Sequence, residues 1–363
     1  MERVVIVGAG TFGASLAWHL ARRGDDVVLV DQFEPGDVRA TSGGETRLIR
    51  CGHGTDADYT AMARRARTLW CELEAETGAS LYTETGVSWF AHSDDGWEAK
   101  SEATLRALGI PVERQDLTRA YPSFAADDLT WVLHEPEAGV LRAQFAVQTL
   151  ARAAAARGAR VVRGRAAPDG DRVRLGDEVL EADRVVWSCG GWLAKLFPGL
   201  VDVRVTFQEL FFLDGGSGWE RVPAWIDYDR GVYGTGDLDD LGVKFAWDQE
   251  GPPLDPDADL PPATAETEQL MRGYVADRFP ALATARLKGT KTCRYEITPD
   301  SHFIAAAHDG VWLVGGGSGH GFKHGPALAE RIVAAWHGGA PLPHHFGLHT
   351  RERAPSLRSA GSN

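Results

Sequence analysis

Cysteine is scarce in this 363-residue chain: Cys51, Cys71, Cys189 and Cys293 stand far apart and never in a CxxC pair. A disulfide-built scaffold and a cysteine zinc site are excluded, and a reducing compartment fits. Lysine is scarce for its class. Of 38 basic residues only six are lysine (Lys100, Lys195, Lys244, Lys288, Lys291 and Lys323), so any lysine-dependent chemistry must use one of these. Long apolar runs are missing. The stretch from Val4 to Val7 meets Gly8 well before a signal sequence or membrane span could form, which predicts a cytoplasmic protein with no membrane partner. Excess positive charge is missing too. The formal net charge is -13 and no basic patch interrupts the acidic field, so a nucleic-acid partner is not expected.

What the chain does have is glycine (42) and tryptophan (12), in a composition of 44% hydrophobic and 25% charged residues that excludes disordered and collagen-like classes. Its length fits one large domain or two modest ones. Arg3-Val-Val-Ile-Val7 reads as a strand buried on both faces. Thr11 to Arg23 reads as a helix with Phe12, Leu16 and Leu20 on one stripe and Gly24 as its stop, and Val27 to Val30 as a second strand ending at Asp31. Helices are predicted over about 58–77, 144–157 and from Pro326, and strands over 160–163, 184–188 and 311–314. Between about 203 and 247 the pattern changes to strand-like runs separated by Gly and Asp turns, and the proline-rich 251–262 reads as a surface connection. The expected class is therefore α/β. A discontinuous first domain (1–80, 140–202 and 288–350) carries an inserted, mostly antiparallel second domain (81–139 and 203–287), with a disordered tail over 351–363.

Gly8-Ala9-Gly10-Thr11-Phe12-Gly13 is GxGxxG set between a strand and a helix, with Asp31 closing the next strand. Gly8 permits the tight turn, Gly10 lets backbone amides approach a pyrophosphate, Gly13 lets helix and strand pack closely, and Asp31 can accept from a ribose hydroxyl. The pattern points to a dinucleotide and does not separate FAD from NAD. Ala40 to Arg50 is a loop of small residues ending in two arginines, either a surface on which a flat ring can lie or a solvent-facing loop. Gly315 to Lys323 is a glycine cluster after a buried strand, where open α/β sheets place ligands.

With Ser42-Gly-Gly-Glu-Thr-Arg-Leu-Ile-Arg50, Lys244 on a late strand, Cys293-Arg294-Tyr295 before Thr298-Pro-Asp-Ser-His-Phe303, and Ser318-Gly-His-Gly-Phe-Lys323, the chain resembles the monomeric sarcosine oxidase family. N-methyltryptophan oxidase and pipecolate oxidase share this pattern, and all are flavin amine oxidases of the glycine oxidase and D-amino-acid oxidase superfamily. The resemblance implies a Rossmann-like FAD-binding domain, an inserted substrate domain and FAD as the dinucleotide. It implies that Cys293 carries the flavin covalently, with Arg294 or Lys291 placed to lower its thiol pKa. Lys244 and Arg47 become the candidate catalytic residues, Lys244 as the group that activates dioxygen. The strand reading puts Lys244 with Ala246 and Asp248 on the face opposite Val243, Phe245 and Trp247. The candidate cofactor contacts are Gly8, Ala9, Gly10, Thr11, Phe12, Gly13, Asp31, Ser42, Gly44, Thr46, Arg47, Val162, Cys189, Gly190, Trp192, Cys293, Gly319, Gly321 and Lys323. The candidate substrate contacts are Arg50 and Lys323, as a clamp on a carboxylate, with Tyr233, Tyr295 and His320.

The chain departs from the family at Ser42-Gly43 and Cys51-Gly52-His53, where relatives have histidine-containing segments, and at Asp248 and Gly317, where a histidine and an apolar residue are usual. These changes bear on the substrate more than on the reaction. His320 and His324 are four apart, but glycine between them and Pro326 beyond argue against one helix face, so no metal site is expected, and His344-His345 reads as tail. The implied activity is oxidation of the carbon-nitrogen bond of an N-methyl or cyclic amino acid by a monomeric enzyme, with dioxygen reduced to hydrogen peroxide. A biosynthetic cyclic imino acid oxidase, a flavin-dependent dehydrogenase and a non-catalytic flavin-binding protein are the alternatives.

Overall fold

The computed structural model describes residues 1–115 and 121–354. Strand β1 (Arg3–Val7) alternates between two cores, Val4 and Ile6 on one side, Val5 and Val7 on the other, as a central parallel strand must. Helix α1 (Thr11–Arg23) follows and stops at Gly24, whose left-handed φ of 86° lets its amide cap the carbonyls of Leu20 and Ala21. Strand β2 (Asp26–Asp31) returns parallel to β1. These strands lie in a six-stranded sheet ordered Ile304–His308, Val311–Gly315, Arg184–Trp187, β1, β2, Arg160–Arg163, parallel except for the hairpin at its first edge. Helices Ala143–Ala156 and Gly325–Trp336 pack with α1 on one face. On the other, Ala166 and Val173 of a three-stranded meander join the core of Val5 and Val7. The α/β expectation is met.

The second unit is an eight-stranded sheet ordered Leu287–Ile297, Arg204–Leu213, Val243–Trp247, Val232–Thr235, Ala224–Asp227, Val87–Ala91, Trp131–Glu135, Glu113–Gln115. Only Ala224–Asp227 and Val87–Ala91 pair in parallel. Phe211, Trp225 and Phe245 face a core closed by helix Ala265–Arg278 through Met271, Tyr274 and Val275. Leu210, Phe212, Ala246 and Cys293 face the opposite way.

Three expectations are corrected. The expected boundary puts 288–297 in the first domain, yet the strand Leu287–Ile297 pairs antiparallel with Arg204–Leu213 along its length, so the strand carrying Cys293 belongs to the second sheet. The tail does not begin at 351: Arg351 is buried, pairs with Asp300 at 2.6 Å and donates to the carbonyls of Phe303, His345 and Gly347. His344–Phe346 is likewise no tail, since Phe346 is buried and His345 packs on His302. The remainder of the expected tail, 355–363, lies outside the described residues. No described helix is long and apolar enough to cross a membrane.

Candidate active site

The glycine turn is built to be bare. A Cβ on Gly13 would lie 1.9 Å from the Gly8 carbonyl, one on Gly8 would lie 2.3 Å from the Ser188 carbonyl, and one on Gly10 would press on the Ser42 hydroxyl at 3.1 Å. Gly10 offers α1 no side-chain cap, which leaves first-turn amides for an anion, while the Thr11 amide donates to Ser42 Oγ at 2.9 Å. Asp31 accepts from the Ala9 and Phe33 amides at 2.6 and 2.8 Å, so it braces the turn as well as facing the cavity. Burial raises its pKa.

One cavity runs from this turn to the second sheet. Gly8, Gly10, Thr11, Phe12, Asp31, Ser42, Cys189, Gly190 and Trp192 line its first part, and Arg47, Arg50, Tyr233, Tyr295, Gly319, His320, Gly321 and Lys323 its second. Ala9 and Gly13 support the turn from behind. Val162 stays in the sheet, where it packs into the core, and the wall there is made by Gly164, Arg165 and Ala166.

Gly44, Thr46, Lys244 and Cys293 are not among the residues that line this cavity; they meet beside Arg47 and Tyr233, which do line it. Lys244 is buried, with Nζ 3.2 Å from Thr46 Oγ1, 3.3 Å from the Thr46 carbonyl and 5.5 Å from the Tyr233 ring centroid. Burial first and Arg47 second lower its pKa to about 8. Arg47 is half-buried and donates to the carbonyls of Thr41, Gly43 and Thr46, so the loop's arginines point inward, not to solvent. A Cβ on Gly44 would lie 3.2 Å from the Arg47 guanidinium and 3.6 Å from Cys293 Sγ, which makes that glycine the gap between them. Burial opposes the Arg47 charge, yet Cys293, Tyr233 and Tyr295 hold its pKa above the ordinary value. The cation beside Cys293 is therefore Arg47. Arg294 alternates to the other face and donates to the carbonyls of Arg39 and Ala258, while Lys291 pairs with Glu45.

At the end of the cavity away from the glycine turn Arg50 and Lys323 are both buried. Arg50 donates to the Gly52 carbonyl and lies over the Trp89 ring at 4.8 Å. Burial, then the Arg50 charge, lower Lys323 well below the lysine range, and burial lowers Arg50 against the pull of Glu135 and Asp248. Glu135 went unnoticed in the sequence. Its carboxylate accepts from the Cys51 amide at 2.6 Å, the Gly52 amide at 3.1 Å and Trp89 Nε1 at 2.8 Å, so it holds the turn that presents Arg50. Glu135→Ala is expected to lower stability by roughly 3 kcal/mol, since three buried donors lose a charged acceptor, and unchanged thermal unfolding would rule out this brace.

The histidines assemble in a way spacing alone did not suggest. His53, from a distant loop, joins His320 and His324, with candidate ligand nitrogens within 4.8 Å of one another. His53 Nδ1 lies 2.9 Å from the Cys51 carbonyl, and His320 Nε2 2.9 Å from the Ser301 carbonyl. Burial first, then Lys323, push His53 and His324 well below the ordinary histidine range, so both are neutral at pH 7. The same cationic field opposes a metal ion here.

The bare glycine turn, the open first-turn amides and the inward-facing loop fit the diphosphate and ring of FAD. The pattern of the DAO family, FAD dependent oxidoreductases, matches residues 3–336. Monomeric sarcosine oxidase of Bacillus sp. (strain NS-129) is 30% identical over 355 residues, covering 91% of each chain. N-methyl-L-tryptophan oxidase of Yersinia pestis (strain Pestoides F) is 26% identical over 94% of this chain and 96% of its own. Among solved structures, L-proline dehydrogenase from P. horikoshii superposes with a TM-score of 0.82 at 21% identity, covering 94% of this chain and 95% of the other. The amino acid oxidase NikD superposes with a TM-score of 0.79 at 21% identity, covering 97% of this chain and all (100%) of the other. With the site and the matches in agreement, the chain belongs to the FAD dependent oxidoreductase (DAO) family.

Proposed function

We propose that the protein oxidises the carbon-nitrogen bond of a secondary amino acid, N-methyl or cyclic, giving an imine and hydrogen peroxide. The observation that carries this reading is a pair of buried cations, Arg50 and Lys323, lining the end of the cofactor cavity away from the glycine turn. The names of the sequence relatives, which act on sarcosine and N-methyl-L-tryptophan, support a secondary amine. When bound, FAD supplies the redox chemistry, taking hydride from the carbon beside nitrogen and passing electrons to dioxygen. The protein binds and orients. Arg50 and Lys323 grip the substrate carboxylate, and an arriving anion offsets the burial that disfavours the lysine's charge. Tyr233 and Tyr295, hydroxyls 3.4 Å apart, wall the reacting end. Neutral His53 and His324 add no positive charge against the amine, which reacts unprotonated. The buried amine of Lys244, held by Thr46, would stabilise negative charge developing on dioxygen, which supports an oxidase over a dehydrogenase. Similarity to monomeric sarcosine oxidase supports a monomer.

The test is peroxide release on mixing with a panel of N-methyl and cyclic amino acids. Turnover is expected with at least one carboxylate-bearing secondary amine, and turnover only with primary amines or with none would overturn the assignment. We also expect the cofactor to be covalent: acid-precipitated protein should stay yellow, and a Cys293→Ser variant should release all its FAD to the supernatant. A colourless precipitate from the parent protein would remove the linkage.

A further inference from the structure

We propose that Glu296 is a cofactor-binding residue whose carboxyl group hydrogen-bonds to a hydroxyl of the ribityl chain of FAD, an inference that rests on FAD occupying the cavity described above. Glu296 follows Tyr295 on the strand Leu287–Ile297, buried at 6% exposure, and lines the cavity. Its Oε1 accepts from the Gly317 amide at 3.0 Å, whereas its Oε2 is buried and has no partner among the described residues. Native interiors seldom leave a carboxyl oxygen so placed, and an orphan aimed at a ligand cavity points to the ligand as its partner.

Two glycines keep the carboxyl group open to the cavity. A Cβ on Gly190 would lie 3.0 Å from Oε2, and one on Gly317 would lie 3.1 Å from Oε1, and both glycines line the same cavity. The glycine at 317 thus makes room for this acid. No salt bridge engages Glu296 among the described residues, and of the titratable groups around it the Cys189 thiol registers its charge. Burial raises its pKa to about 7, against the pull of the Gly317 amide. A hydroxyl suits such a group, because it can accept from the neutral carboxyl or donate to the ionised one. A diphosphate, which only accepts, would be repelled by the ionised form, and the first-turn amides of α1 already serve it.

The experiment uses the Cys293→Ser protein, in which FAD binding is reversible, and follows quenching of flavin fluorescence. Adding Glu296→Ala is expected to weaken FAD binding roughly 10- to 100-fold, and Glu296→Gln, which keeps a donor and an acceptor, by no more than about threefold. The apoprotein should unfold at an unchanged or higher temperature with alanine, since a buried orphan oxygen has gone, while the FAD-loaded protein loses stability. Equal FAD affinity for the alanine variant and its parent would overturn the proposal, as would equal destabilisation of the apo and loaded forms. Should the alanine protein not fold, Glu296→Met, apolar and similar in volume, takes its place. Failure of the Cys293→Ser parent itself to bind FAD would instead overturn the cofactor reading on which the proposal depends.

Discussion

Lys244→Met is expected to slow the reaction with dioxygen by roughly 10²- to 10³-fold, the scale of removing one preorganised charge from a buried reacting site. Reduction of the flavin by substrate under anaerobic conditions should persist near the parent rate, because Lys244 is held by Thr46 and is not part of the proposed carboxylate clamp. Stopped-flow mixing of reduced enzyme with oxygenated buffer separates the two half-reactions. Parallel loss of both would place Lys244 in substrate binding. The same lysine sets a pH dependence. With its pKa lowered to about 8, it carries its charge below that pH and loses it above, so the oxygen reaction should fall as pH rises through about 8. The Lys244→Met protein should lack that limb of the profile.

Arg50→Gln is expected to raise KM for a carboxylate-bearing substrate roughly 10²- to 10³-fold, with a much smaller change in kcat. A clamp acts on ground state and transition state alike, and its loss therefore appears mainly in KM. Arg50→Lys should rescue little, since a lysine cannot present two parallel donors. A secondary amine without a carboxylate supplies the control: its KM should be insensitive to Arg50. Unchanged KM for the amino acid would show that its carboxylate binds elsewhere.

Local patterns were legible in the sequence. The β1–α1–β2 opening was readable residue by residue because each part answers to its neighbours: branched side chains buried on both faces, glycines where backbone meets backbone, and Gly24 in the left-handed conformation that glycine adopts without strain. The face of Lys244 was legible through strand alternation, and Ala246 packs beside Cys293 as that alternation requires. Partnerships across long sequence separations were not legible. Glu135 braces Cys51 over 84 positions, His53 meets His324 over 271, and neither relation leaves a local trace. The strand Leu287–Ile297 was misassigned because its hydrogen-bond partner, not its own composition, decides which sheet it joins. Helix Ala265–Arg278 did leave a signal, the i, i+3, i+4, i+7 set of Met271, Tyr274, Val275 and Arg278, that a weakly amphipathic surface obscured.

The position of Cys293 in the second sheet bears on when the holoenzyme can form. The glycine turn lies within the first 13 residues of the chain and Cys293 within its last fifth, on a different sheet. The two halves of the cofactor cradle coexist only after nearly the whole polypeptide has left the ribosome and both sheets have closed on each other. If Cys293 carries the flavin as proposed above, an attached flavin marks completed maturation: a truncated or half-folded chain would offer a nucleotide turn without the cysteine, or the cysteine without a turn.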